Sequence, residues 1–272
     1  MSIVTITHAA FSGGTAIAEN VASKLGYRSI DREVLLEASK RYGIPEAKYS
    51  EVLETQGKWW ERWVESLRLY RITLQAAMCE VAQEGNMVYH GRVGQELFPG
   101  VGHVLKVLVI APLEHRVEVA KKQRSFDDQA ARNYIRELDR VRSRRVRALF
   151  NTDWQDPVIY DLVINSSRLS SETAAHLIAS AAQSREYQAT VESEKSLQDL
   201  TMTSRVQAAL ITANKTRNVI LTVRSDSGKV HISGILADTE LEKEVVRIAK
   251  EIPGVAEVVT DIEPPPIEYM HP

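Results

Sequence analysis

IVTITHAAFSGGTAIAENVASKL, residues Ile3–Leu25, sets a β-branched run, a glycine-bearing turn and an amphipathic run in succession. Ile3–Thr7 is a short β-branched run suited to a pleated, buried strand. From Thr15 to Leu25 the apolar residues Ile17, Ala18, Val21, Ala22 and Leu25 recur at helical spacing. Gly26 stands where a helix C-cap glycine belongs. Between strand and helix lies HAAFSGG, so the chain opens as a β–loop–α unit. Glycines at such a junction let backbone amides curl around an anion, and the helix N-terminus adds its partial positive charge. A tight turn that binds nothing is the plainer alternative.

Further buried-strand candidates follow at Met87–His90, Val104–Ala111 and Asp161–Asn165, with a weaker one at Arg28–Ile30. Each is short, apolar and bounded by Gly, Pro or polar residues, as parallel strands covered on both faces are. Helical segments separate them. The alternation predicts an α/β domain with a parallel sheet of about five strands and flanking helices. Residues 46–84 read as helix throughout and carry Trp59, Trp60 and Trp63, a cluster better suited to helix packing than to base stacking.

From Ala182 to Leu200 the chain turns polar and reads as a linker, with a helical conformation left open. Beyond it the pattern is a helix at Ser204–Ala213, a strand at Val219–Arg224, a turn at Ser225–Gly228 and a strand at Lys229–Leu236. A helix at Thr239–Ile252 and a strand at Val255–Ile262 follow. This predicts a small α+β (αββαβ) C-terminal domain over 201–264, reached through a linker at 183–200. A proline-rich tail over 265–272 ends the chain.

Composition narrows the function. Of 272 residues, 44% are hydrophobic and 26% charged, as in ordinary globular domains. A net charge of −2 argues against nucleic acid as a partner, which calls for a basic excess. Cys79 is the one cysteine, which excludes an intramolecular disulfide and a CxxC metal site. No stretch approaches a membrane span, and the N-terminus lacks the basic and apolar regions of a signal peptide. A cytoplasmic protein is the expectation; its oligomeric state is left open.

Ser12, Gly13, Gly14 and Thr15 are the candidate anion-binding residues. Against the P-loop pattern GxxxxGK[ST], Thr15 falls where a hydroxyl holds Mg²⁺. The first glycine is His8, however, and the lysine is Gly14. The segment Gln129–Phe150 contains seven arginines. On a helical wheel Ala131, Ile135, Leu138, Val146 and Leu149 form an apolar stripe, with Arg132, Arg136, Arg140, Arg144 and Arg147 opposite. Arg142 falls inside the stripe, with Asp139 one turn earlier at its edge. An arginine there needs a partner, either Asp139 or a bound phosphate. Gly91-Arg92 ends the third strand, at the edge where α/β sheets present ligand contacts, and Arg92 is suited either to bidentate phosphate binding or to a surface ion pair. His90 reads as packing. Asp31 is either a substrate-hydroxyl acceptor or a helix N-cap.

These pieces in this order resemble the cytidylate-kinase-like family of P-loop proteins. The residues that carry the resemblance are IVTITHAAFSGGTAIAENVASKLGY, IDREVL, VYHGR, VLKVLVIAPLEHRVE, RELDRVR and YDLVINSSRLS, over about residues 1–182. The resemblance implies a P-loop-type nucleotide-binding domain that transfers phosphate from ATP, with Mg²⁺, to a nucleoside monophosphate, CMP by analogy. It implies a cofactor-binding loop at Ser12, Gly13, Gly14 and Thr15, with Thr15 on the metal. It assigns Arg92 to the acceptor phosphate, Asp139 and Arg142 to a lid over the transferring group, and Asp31 to the acceptor nucleotide. The family branch with a GSGG loop commonly has arginine where this chain has His8 and glycine where it has Phe11. The acidic residue that follows Gly-Arg in cytidylate kinases is Val93. With Gly14 for the lysine, a catalytically degenerate nucleotide sensor is the alternative to an enzyme. Residues 201–264 resemble a BON domain, carried by VQAAL, GKVHISGIL and IAKEIPGVAEVVTDIE. That resemblance implies a protein or lipid partner.

Overall fold

The computed structural model describes residues 2–31, 38, 40–45, 60–91, 93–236 and 238–265, with side chains of the 60–66 segment left aside. The chain forms two compact units, Met1–Val34 with Glu84–Ser193 and Leu35–Gln83 with Glu194–Pro272.

The first unit is built on β1 (Ile3–His8), α1 (Gly14–Leu25), β2 (Arg28–Ile30), β3 (Met87–Gly91) and β4 (Val104–Ile110). The five strands, β5 (Leu162–Asn165) included, form one sheet in the order β2-β3-β1-β4-β5, and every pairing is parallel. β1 is central, as its unbroken burial requires. The expected strand at 104–111 stops at Ile110 and that at 161–165 starts at Leu162, both within the usual uncertainty of strand ends.

Alternation along β1 sends Val4 and Ile6 to one face, where they meet Ile17, Ala18 and Val21 of α1. Ala174, Ala175 and Ile178 close this layer from the helix Ser171–Ala182. Thr5 and Thr7 point to the other face, where the Thr7 hydroxyl donates to Gln95 Oε1 at 2.7 Å. Two helices follow β4, Leu113–Arg124 and Asp128–Phe150. In chain order the unit's helices after α1 that bear on the site are therefore α3 (Leu113–Arg124) and α4 (Asp128–Phe150), since α2 (Trp60–Gln83) belongs to the other unit. Asp127 caps α4 by accepting from the Ala130 amide.

Because β1 is followed by a strand on one side and β4 by a strand on the other, the chain reverses direction between them. In open α/β sheets ligands bind at that switch point, outside the carboxyl ends of the strands. Here the crevice is bordered by the loop after His8 and by the start of α3.

In the second unit α2 packs Ile72 and Ala76 against Ala208 and Ile211 of the helix Val191–Thr212. The polar stretch read as a linker with helix left open is helical from Val191 and runs without a break into the helix expected from Ser204. β6 (Leu221–Asp226), β7 (Lys229–Ile235) and β8 (Glu257–Glu263) form a three-stranded sheet in that order. β6 and β7 are antiparallel, and β7 and β8 parallel. The helix Thr239–Lys250 and the end of Val191–Thr212 cover the sheet, burying Val206, Val230, Ile232, Val245 and Ile248. Of the tryptophan cluster, Trp59 and the side chains of Trp60 and Trp63 lie outside the described residues, as does the tail after Pro265.

Candidate functional site

The loop after β1 is defined by backbone geometry that the sequence dictates. Ala9 N–H continues the ladder to Val109 O at 2.9 Å, and Ser12 N–H returns to Ala9 O at 3.2 Å, closing a turn. Phe11 takes φ +61° inside that turn, a conformation that costs a non-glycine residue about 1–2 kcal/mol. Its ring offsets the cost by packing with Val117, Ala120, Ala131 and Ile135 of α3 and α4, with Tyr134 at 6.1 Å between ring centroids. Gly13 is the N-cap of α1 with φ +76°. The first intrahelical bond runs from Ile17 N–H to Gly13 O, so the amides of Gly14, Thr15 and Ala16 precede it. These first-turn donors are free of helix acceptors by construction and carry the positive end of the helix dipole.

Two arginines hold the carbonyls of the same loop from outside. Arg142 of α4 donates from Nη1 to His8 O at 2.5 Å and from Nη2 to Gly91 O at 3.4 Å. It therefore bridges the carboxyl ends of β1 and β3. Its guanidinium stacks on Trp154 at 4.0 Å from the ring centroid. That indole is fully buried and fixed by Nε1–H to Ser143 Oγ at 2.9 Å, while the Tyr160 hydroxyl donates to the Trp154 carbonyl at 2.7 Å. Burial pushes the Tyr160 phenol well above its ordinary range, keeping it neutral and a donor.

Arg116 of α3 donates from Nε to Ala10 O at 2.7 Å. Its Nη1 and Nη2 grip Asp139 at 2.9 and 2.8 Å, a bidentate pair. The sequence reading did not single out Arg116, although it lies in the quoted stretch VLKVLVIAPLEHRVE. Its burial at 6% exposure is set by α3 lying against the loop, which no local pattern reveals. Asp139 finds its partner in Arg116 rather than in Arg142 one turn along the helix, because the two α4 side chains face different parts of the loop. Ser166, just beyond β5, completes the frame by donating its hydroxyl to Ser12 O at 2.7 Å.

Ser12 is buried and holds the turn, Gly13 is exposed, Gly14 is buried at the first position of α1, and Thr15 is exposed beside it. Arg142 joins this group through His8, and Asp139 through Arg116. Asp31 is exposed immediately after β2 at the same sheet edge. Arg92 lies outside the described residues, though the preceding Gly91 carbonyl is the one that Arg142 reaches. His90 is buried in β3, in keeping with packing. Among the described residues no group of three or more His, Cys, Asp or Glu side chains is disposed to hold a metal. An exposed Thr15 hydroxyl at the loop fits Mg²⁺ that arrives on phosphate oxygens, since that ion is bound through few protein ligands and keeps waters.

Arg116, Arg142 and the apolar anchor Phe11 tie the loop to one helical hairpin. The carbonyls of His8 and Ala10 are thereby taken up by arginine donors, while the first-turn amides of α1 precede the first intrahelical bond. Among the described residues no helix is long and apolar enough to cross a membrane.

Comparison with known proteins agrees with this architecture. The family model described as "Cytidylate kinase-like family" matches residues 3–168, and a BON domain model matches residues 198–264. A cytidylate kinase of Methanocaldococcus jannaschii is 27% identical over 182 residues, covering 66% of this chain and 96% of that protein. One from Methanopyrus kandleri is 25% identical over 188 residues, covering 66% and 92%. In crystal structures the fold is seen in a protein from Eubacterium ventriosum, with a TM-score of 0.53 at 18% identity, covering 68% of this chain and 99% of that one. A chain with this strand order, this glycine turn and a family match over most of its length belongs to the cytidylate kinase-like family, with a C-terminal BON domain.

Proposed function

We propose that the first unit binds ATP with Mg²⁺ at Ser12–Thr15 and transfers its terminal phosphoryl group to a nucleoside monophosphate, with CMP the first acceptor to try. The observation that carries the reading is the loop frame: Arg142 on His8 O and Arg116 on Ala10 O, beside α1 first-turn amides that precede the first intrahelical bond. Membership of the cytidylate kinase-like family and the identity to archaeal cytidylate kinases support the acceptor class.

In this reading an acceptor phosphate oxygen forms a bond to the γ-phosphorus as the bond to the β–γ bridging oxygen breaks, giving a nucleoside diphosphate and ADP. Little covalent chemistry falls to the protein, and positioning plus charge stabilisation does the rest. Gly13 and Gly14 present amides to the phosphate chain, and Thr15 offers its hydroxyl to Mg²⁺. Arg142 sits between the ends of β1 and β3, where donor and acceptor phosphates would meet. Arg92 is assigned to the acceptor phosphate and Asp31 to the acceptor's hydroxyls. Asp139 holds Arg116 in place.

The domain assignment follows: nucleotide binding in 1–182, a connecting segment at 183–200, and a BON module at 201–264 that meets a protein or lipid partner. A cytoplasmic site of action fits these substrates. Gly14, without a lysine's ammonium, favours a second reading in which the nucleotide is sensed and not turned over. Losing one preorganised donor to a transferring group costs on the order of 10²–10³ in rate.

A thermal-shift panel of nucleotides with and without Mg²⁺, followed by a coupled assay with each monophosphate, tests both. Ligand at a hundredfold over its dissociation constant stabilises a fold by about 2.7 kcal/mol, an easily measured shift. Turnover fastest with CMP supports the kinase; binding without transfer to any acceptor replaces it with the sensor. No stabilisation by any nucleotide removes both.

A further inference from the structure

Two departures from the P-loop pattern, His8 for glycine and Gly14 for lysine, occupy one volume. A Cβ built on Gly14 would lie 2.2 Å from His8 Cβ, 2.3 Å from its Cγ and 3.0 Å from its Cδ2. No real Cβ tolerates a neighbour so close, and the closest atoms belong to the root of the side chain, which cannot swing away. The junction between the end of β1 and the start of α1 therefore has room for one side chain, supplied from position 8 or from position 14. The P-loop pattern supplies it from 14 and keeps glycine at 8. This chain does the reverse. The near contacts run from Cβ along to Cγ and Cδ2, so the imidazole occupies the space where a residue-14 side chain would begin, with Nδ1 3.4 Å from the Ala9 carbonyl oxygen. Its backbone is pinned by Arg142, whose Nη1 holds the His8 carbonyl at 2.5 Å.

We infer that His8 reaches the β- and γ-phosphates of the bound nucleotide in place of the P-loop lysine, an assignment that rests on the phosphate-loop reading above. An imidazole supplies an N–H donor when neutral and two donors with a positive charge when protonated. The side chain enters from the strand rather than from the helix, so the exchange keeps a donor over the phosphate chain without a second Cβ in the junction. Gly14 is then required by His8 and does not mark a lost function.

The test uses the full chain and compares ATP, ADP and AMP, because the P-loop lysine contacts the β- and γ-phosphates. His8→Gly empties the junction, His8→Leu fills it without a donor, Gly14→Lys crowds it, and His8→Gly/Gly14→Lys restores the P-loop arrangement. By titration calorimetry His8→Gly and His8→Leu are expected to bind ATP and ADP roughly tenfold or more weaker, the scale of one hydrogen bond to a charged group. AMP binding is expected to stay within about twofold. The double variant is expected to recover ATP affinity, whereas Gly14→Lys alone is expected to lower both affinity and melting temperature. If His8→Gly does not fold, His8→Leu decides. ATP affinity in His8→Leu equal to that of the unaltered chain overturns the His8 assignment while leaving the loop reading intact. An unaltered chain that binds no nucleotide overturns the loop reading, and this inference with it.

Discussion

Arg116 and Asp139 form a two-point ion pair, at 2.8 and 2.9 Å, whose other end is the carbonyl of Ala10 in the loop after β1. The guanidinium is buried and the carboxylate only partly exposed, so the pair is shielded from the screening that makes surface ion pairs weak. Its geometry orients Nε toward the loop, and a lysine cannot reproduce three such contacts.

Arg116→Lys and Asp139→Asn are accordingly expected to weaken nucleotide binding several-fold and to lower stability by about 1–3 kcal/mol, as for a broken, partly buried pair. Denaturant titration and a nucleotide thermal shift check the two effects separately. Unchanged values in both variants would mean that the loop holds its shape without α3.

Arg142 and Arg140 lie on the same helix with opposite surroundings. Arg142 contacts two strand-end carbonyls and the Trp154 face, while Arg140 pairs with Glu137 in solvent. Arg142→Ala is expected to weaken ATP binding by roughly 1.5–3 kcal/mol and to cost the apo fold about 1–2 kcal/mol. Arg140→Ala should change neither by more than about 0.5 kcal/mol. A stability loss for Arg142→Ala with untouched nucleotide affinity would make Arg142 a structural strut only.

Gly13 offers a cleaner probe of the loop, because a Cβ there meets nothing within 4 Å. Gly13→Ala should cost only the left-handed backbone term, about 1–2 kcal/mol, with binding retained. Gly13→Asp pays the same term and sets a carboxylate among the amides, so nucleotide-dependent stabilisation should vanish. Equal nucleotide shifts in the two variants would show that no anion sits there.

Much of the first unit was legible because local signals agreed with the fold. Ile3–Thr7, the spacing of Ile17 to Leu25 and the short apolar runs at 87, 104 and 162 each had one consistent reading, and Gly26 does cap α1. What escaped was set by contacts distant in sequence. Arg116 reaches Asp139 across 23 residues and Ala10 across 106. The wheel singles out Arg142, which is half-buried, and passes over Arg145, which is the buried arginine of α4. The i−3 spacing suggested that Asp139 would hold Arg142; the tertiary partner won because a bidentate grip from α3 is available. The polar first half of the helix from Val191 left linker and helix both open, and the grouping of α2 with the C-terminal strands leaves no trace in either segment alone.

That grouping rests partly on Glu80, whose carboxylate is 8% exposed. It accepts from Arg205 Nε at 2.5 Å and also pairs with Arg41. Glu80→Gln keeps the shape and should cost about 1 kcal/mol, whereas Glu80→Ala takes the shared acceptor from Arg41 and Arg205 and should cost about 2 kcal/mol. A fragment of residues 197–272 lacks both Glu80 and the α2 side of the Ile72–Ala76–Ala208–Ile211 cluster. It is expected to unfold at lower denaturant than the intact chain's C-terminal transition. Identical midpoints would show that α2 adds nothing to the C-terminal module.

Cys79, beside Glu80 on α2, is fully buried. Burial pushes its thiol up to about 12 from an ordinary value near 9, and the neighbouring Glu80 carboxylate adds to the rise. The thiolate is the reactive form, so the native chain at pH 8 should resist a thiol reagent until it opens, and labelling should track unfolding. The same shift ties stability to pH in one direction. Below pH 9 the thiol is protonated in both folded and unfolded chains and the neutral buried group costs nothing. Between about 9 and 12 the unfolded chain releases the proton while the folded chain keeps it, so the unfolded state binds fewer protons and stability falls as pH rises. Cys79→Ala removes that titration. Its denaturation midpoint should start lower at pH 8, where a buried side-chain atom has been lost, and then fall less steeply toward pH 11 than that of the unaltered chain. Parallel pH profiles for the two proteins, or rapid labelling of native Cys79 at pH 8, would place the thiol in water and overturn its burial on α2.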